Sequence, residues 1–150
     1  MSQLPATGQM QANEHILPVR IYYEDTDFSG VVYHAAFLKF MERGRTESMR
    51  ATGTTHQDLL LGDVPLAFAV RRMELSFFAP ARIDDVLLVR TRLTEAKGAR
   101  MRAEQAVFCQ DQELVRAKVE LACIDLEGRP RRIPKPALQK MLAAIFITST

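Results

Sequence analysis

A single long stretch of 3.6-residue periodicity, followed by four stretches that alternate, is the feature that most narrows what this chain can become. From His34 to Thr52, Phe37, Phe40, Met41, Gly44 and Ser48 fall on one face. Lys39, Arg43, Glu47 and Arg50 fall on the other, as an amphipathic helix requires. Ala36, Gly44 and Ser48 on the inner face are small, so the helix is expected to lie close against another surface. Gly53 suits its C-terminal stop. Leu66 to Phe78, Val86 to Glu95, Arg100 to Cys109 and Leu114 to Ile124 then read as strands. The last is the cleanest: Val115, Ala117, Val119, Leu121 and Cys123 face one way, Arg116, Lys118 and Glu120 the other. Two irregularities stand out, Arg71 among the inward positions of the first strand and Gln105 in the apolar row of the third. Turns at Lys97-Gly98, Asp111-Gln112 and Glu127-Gly128 are short, which makes neighbouring strands antiparallel.

Upstream, His15 to Glu24 reads as a further strand, with Pro18 marking an edge or a strand start. Downstream, Pro134 to Phe146 reads as a short helix with an apolar stripe of Leu138, Met141, Leu142 and Ile145. The expected fold is α+β in two layers, one long helix against a curved antiparallel sheet. Residues 1–13 are expected to be a disordered tail, and 14–150 a single domain.

Charge removes several functional classes. Twenty basic residues against 18 acidic ones leave a net charge of +2, without the basic excess of a nucleic-acid binder. No apolar run approaches the roughly 18 residues that a spanning helix needs. The first 13 residues lack a basic start followed by an apolar stretch, so a signal peptide is not expected and the cytoplasm is the default location. Cys109 and Cys123 have no metal-ligand spacing and are expected to be reduced thiols.

The chemistry points to Tyr23-Glu24-Asp25-Thr26-Asp27-Phe28-Ser29-Gly30-Val31-Val32-Tyr33-His34. Three carboxylates precede a glycine and the start of the long helix. A helix N-terminus presents unbonded N–H groups and the positive end of a dipole. Such donors polarise a carbonyl and stabilise an oxyanion, and a nearby carboxylate serves as nucleophile or as base toward water. Asp and Thr at such a position are also ordinary caps and turn formers. A calcium loop fits poorly, because the twelfth position counted from Asp25 is Ala36 and not Glu.

The stretch Val19 to Arg50 resembles the 4-hydroxybenzoyl-CoA thioesterase group of the hotdog superfamily, and more closely its Tol-Pal-associated, YbgC-type acyl-CoA thioesterases. The resemblance is carried by Tyr22-Tyr23-Glu24-Asp25-Thr26-Asp27, Gly30-Val31-Val32-Tyr33-His34, Phe40-Met41-Glu42-Arg43 and Arg45-Thr46-Glu47, and again by Pro80-Ala81-Arg82-Ile83-Asp84-Asp85. It implies a hotdog fold and hydrolysis of an acyl-CoA substrate without metal or organic cofactor. It also implies a homo-oligomer, dimer or tetramer, with sheets joined edge to edge and sites at the dimer interface. It places the catalytic carboxylate at Asp27 and the polarising backbone N–H near His34. The His34 side chain either takes part or only orients its neighbour. Gly30, Val31 and Tyr33 shape the loop against the substrate. Phe28 and Gly44 depart from the family pattern, which has a small residue and an alanine there.

Arg131 and Arg132, in the basic segment Gly128 to Lys135, are candidates for the coenzyme A phosphates, since a guanidinium offers paired donors. A solubilising loop is the plain alternative. Glu42 and Arg45 are spaced to pair along the helix, and Glu47 is expected to be solvated. Two rival functions remain. One is a hotdog hydratase or dehydratase using Asp27 with His34. The other is a non-catalytic acyl-CoA-binding protein.

Overall fold

In the computed structural model, residues 3–146 are described. Two short strands come first, β1 (Gln9–Gln11) and β2 (Glu14–Arg20). A single 3₁₀ turn over Tyr23–Asp25 leads to the long helix α1 (Ala36–Thr52) and the short α2 (His56–Leu60). Four long strands follow: β3 (Leu66–Phe77), β4 (Val86–Lys97), β5 (Arg100–Cys109) and β6 (Gln112–Asp125). Helix α3 (Lys135–Ile145) closes the described chain. The six strands form one sheet in the order β1-β2-β4-β5-β6-β3, and every neighbouring pair is antiparallel. One long helix against one such sheet is the hotdog architecture expected above.

The core is the helix-facing side of the sheet. Phe37, Phe40, Met41, Gly44, Ser48 and Met49 of α1 are buried. They meet Leu17, Val89, Val107, Val115 and Ala117 from successive strands. Gly44 lies at the closest approach: a Cβ there would stand 2.7 Å from Val89 Cγ1 and 2.9 Å from Thr91 Oγ1. The small inner-face residue thus lets the helix backbone come down onto β4. Helix α1 ends at Gly53, whose φ of 101° is the left-handed conformation that glycine adopts without a Cβ penalty.

A bulge explains the Arg71 irregularity. The β3–β6 register shifts between Val70 and Arg72, so β3 carries one unpaired residue. Before it Phe68 and Val70 lie opposite the buried Cys123 and Leu121; after it Met73, Leu75 and Phe77 lie opposite Val119, Ala117 and Val115. The inward parity changes at Arg71, and Ala67 and Ala69 lie on the outer side, not the inner side that simple alternation predicts.

Other differences are local. The strand expected from His15 to Glu24 stops at Arg20, because Ile21 N–H bonds Asp85 O and Asp25 Oδ2 accepts from Tyr22 N–H, turning the chain. In the stretch expected to be a loose tail, Gln9–Gln11 pair with β2. The buried His15 ring bonds Thr7 O at 2.8 Å just before that strand. Glu42 and Arg45 do not pair; Arg45 points to the sheet and donates to Gln105 Oε1. Glu47 is mostly covered and pairs with Arg50 at 3.1 Å. Helix α2 carries no apolar period to announce it, being only five residues long. Cys109 and Cys123 are both free.

Candidate active site

The Asp27 loop is built by short-range hydrogen bonds. Gly30 N–H reaches back to Asp27 O at 3.1 Å, and Asp27 N–H bonds Val31 O at 2.9 Å. This turn needs Gly30 at φ 79°, where a side chain is strained. Val32 N–H bonds Ala81 O and Ile83 N–H bonds Gly30 O, so the loop is pinned on the Pro80–Asp85 turn that the sequence also singled out. Tyr33 N–H bonds Asp25 O at 3.0 Å and brings the chain to α1.

The two aspartates take different parts. Asp25 turns its carboxylate inward, onto Tyr22 N–H at 2.9 Å. Asp27 is exposed, and its Oδ1 accepts from both the hydroxyl and the backbone N–H of Ser29. Those bonds hold the Asp27 carboxyl below the usual carboxylate range, the Ser29 hydroxyl contributing most. Asp27 is therefore an anion at neutral pH.

The donors lie seven and eight residues downstream, at the N-terminal end of α1. The helix has no side-chain cap at Ala35. Ala36, Phe37 and Leu38 N–H fold back onto Tyr33, His34 and Ala35 carbonyls. Among the described residues, the His34 and Ala35 N–H groups are left without a hydrogen-bond partner. The His34 ring does not bond Asp27. It packs 4.6 Å from the Tyr33 ring and edge-on at 6.3 Å from Phe77.

Of the candidate residues, Asp27, Gly30, Val31, Tyr33 and His34 come together here. Arg131 and Arg132 do not. They line a cavity of about 530 Å³ with Gly53, Thr54 and Leu66, at the C-terminal end of α1. Seventeen helical residues at 1.5 Å each separate that end from the Asp27 end by about 25 Å. Arg131 is also engaged locally, its Nε donating to the buried Asp125 at 3.0 Å.

A second polar cluster escaped the sequence reading. Glu42, Arg45, Thr46 and His56 line a cavity of about 300 Å³, with Met49, Phe68, Val70, Met101 and Leu121 as apolar walls. The His56 ring bonds Thr46 Oγ1 at 3.1 Å. His56 lies on the unpredicted α2, and the walls depend on the inward parity that the bulge restores, so no local pattern announces this site.

Residues 22–145 match the thioesterase-like superfamily. The chain belongs to that family. It is 43% identical over 127 residues to the acyl-CoA thioesterase YbgC of Haemophilus influenzae, covering 84% of this chain and 93% of that protein. It is 42% identical to the acyl-CoA thioester hydrolase YbgC of Escherichia coli over 79% of this chain and 88% of that one. Among solved structures, a probable thioesterase from Bartonella henselae superposes with a TM-score of 0.78 at 48% identity, over 81% of this chain and 99% of that one. This thioesterase-family chain has, among its described residues, no helix long and apolar enough to cross a membrane.

Proposed function

We propose that the protein hydrolyses an acyl-CoA thioester to the free acid and coenzyme A, with Asp27 as nucleophile or general base. The observation that carries this reading is an ionised carboxylate in the loop that leads into the unpartnered N–H groups at the start of α1. The thioester carbonyl oxygen accepts from the His34 and Ala35 N–H groups, which stabilise its charge as the tetrahedral intermediate forms. In the nucleophilic route, an Asp27 oxygen bonds the acyl carbon, the C–S bond breaks, and coenzyme A leaves as a thiolate that takes a proton from solvent. Water then hydrolyses the mixed anhydride and restores Asp27. In the alternative route, Asp27 takes the proton of an attacking water. An anionic carboxylate serves either route.

The site is completed, in this reading, by a second copy. Strand β3 is a twelve-residue sheet edge, and an open edge of that length invites pairing. Phe77 and Phe78 at its C-terminal end, Val70 nearer its start, and Tyr33 and Phe28 beside Asp27 are all exposed. Two-fold antiparallel pairing of β3 with itself sets the Phe77 end of one copy beside the Leu66 end of the other. Such pairing would bring the His34 end of α1, which packs near Phe77, toward the other copy's Phe68 and Val70, which line the Glu42–Arg45–His56 cavity. Sedimentation at micromolar concentration is expected to show a dimer or larger; a monomer there would refute the shared site.

The decisive assay follows free thiol release from short aliphatic, long aliphatic and aromatic acyl-CoAs. Release is expected for at least one class and is expected to survive exhaustive chelation. Hydration without thiol release would favour a hydratase, and saturable binding without turnover a non-catalytic protein. Strict metal dependence would defeat the mechanism.

A further inference from the structure

We propose that Gln105 is a positioning residue for the chemistry at Asp27: it clamps α1 at a fixed place on the sheet, and with it the His34 and Ala35 N–H groups. The inference rests on the thioester-hydrolysis reading above. Gln105 is the residue that interrupts the apolar row of β5, and it is only 2% exposed. Its amide is fully engaged. Nε2 donates to Met41 O at 2.8 Å and to Thr91 Oγ1 at 2.9 Å, while Oε1 accepts from Arg45 Nη1 at 3.0 Å.

Apart from Ser48, the rest of the buried α1 face is apolar. Burial of Phe37, Phe40, Met41 and Met49 is favourable but non-directional, so it holds the helix to the sheet without fixing its position along its own axis. Direction comes from hydrogen bonds. Among the described residues, the hydrogen bonds between α1 and the sheet both run through Gln105, one to the Met41 carbonyl and one from the Arg45 side chain. An apolar side chain would fill this row without needing partners; what the amide adds is a fixed direction. Gly44 serves the same joint. Its missing Cβ would lie 3.2 Å from Gln105 Nε2, and without it the helix sits low enough for the amide to reach Met41 O.

Met41 is five residues from Ala36, about 7.5 Å along a rigid helix. An axial shift at Met41 is therefore transmitted to the N-terminal turn. The Asp27 loop is fastened instead to the Pro80–Asp85 turn, where Val32 N–H bonds Ala81 O and Ile83 N–H bonds Gly30 O. Movement of α1 thus changes the distance between the carboxylate and the N–H donors. Misplacement of a catalytic group by about 1 Å can cost about 100-fold in rate.

The test compares kcat and KM of full-length Gln105→Met, Gln105→Glu and Thr91→Val on the best acyl-CoA substrate at pH 8. Assays are run well below each variant's melting temperature, with folding checked by circular dichroism. Gln105→Met removes the clamp. Gln105→Glu keeps an acceptor for Arg45 but loses the N–H that holds Met41 O. Both are expected to lower kcat by about 10-fold or more while KM moves less than about 3-fold. Thr91→Val leaves both bonds to α1 and is expected to keep kcat within about 2-fold. A folded Gln105→Met with undiminished kcat would overturn the proposal, as would a loss confined to KM. Wild-type kcat in Gln105→Glu would also overturn it, since the Arg45 bond alone would then suffice; this arm holds even if Gln105→Met fails to fold. Failure of the hydrolase reading looks different, because the wild-type protein would itself release no coenzyme A, and the proposal would fall with it.

Discussion

Asp27→Asn is expected to lower acyl-CoA turnover by about 100-fold or more, the scale for losing a positioned catalytic carboxylate. The change is nearly isosteric. The new amide still offers an oxygen to the Ser29 N–H and hydroxyl that now hold Asp27 Oδ1, so the loop keeps its shape. What disappears is the anion. Circular dichroism and melting should stay close to wild type, and acyl-CoA binding should weaken little. Asp25→Asn is the matched control. Asp25 spends its carboxylate on Tyr22 N–H, a role that an amide oxygen fills. Its loss of stability should be a few tenths to about 1 kcal/mol, with activity retained. Full activity in Asp27→Asn would make that residue a turn former only. A dead Asp25→Asn beside an active Asp27→Asn would move the chemistry to the other carboxylate.

The second large effect is on stability. Gly→Ala on an exposed helix face gains about 1 kcal/mol from helix propensity. At Gly44 the sign should reverse. The added methyl meets Val89 Cγ1 at 2.7 Å, Thr91 Oγ1 at 2.9 Å and Gln105 Nε2 at 3.2 Å. Overpacking of this kind costs about 1–3 kcal/mol. Gly44→Val, with two further carbons, should reach about 3 kcal/mol or more. For a chain of this size that is a fall of about 6–12 °C in melting temperature. Thermal melts of both variants decide the matter, and a rise in melting temperature for Gly44→Ala would show that the helix has room to spare. The same contacts account for a glycine at this point of the helix: Val89, Thr91 and Gln105 crowd the place of a methyl.

The two variants probe different links. Asp27 depends on local chain geometry, since the bonds that shape its loop span only a few residues, and the motif around it was readable for that reason. Gly44 and Gln105 depend on what stands across the interface. Their residue types were visible as a small residue on a helix face and a polar one in an apolar row. Their partners were not, because Met41, Val89 and Thr91 come from elements far apart in sequence.

The amino-acid sequence alone determined the layers and the candidate loop. Periodicities of 3.6 and 2 are properties of single elements, so the long helix and the four long strands could be read directly from residue order. The Asp-rich turn and its glycine announced the loop because its hydrogen bonds are local. Only the tertiary structure decided the rest. It placed β3 beside β6 and so at the sheet edge, a matter of pairing between distant segments. It put the bulge at Val70–Arg72, where one extra residue exchanges the two faces of the strand. It bonded Arg45 to Gln105, sixty residues away, where spacing along the helix suggested only Glu42 as a partner. It also set Arg131 and Arg132 a helix length from Asp27, since the strand that leads to them ends at the opposite end of α1. Each of these depends on which surfaces pack together, and no window of sequence shorter than the domain contains that information.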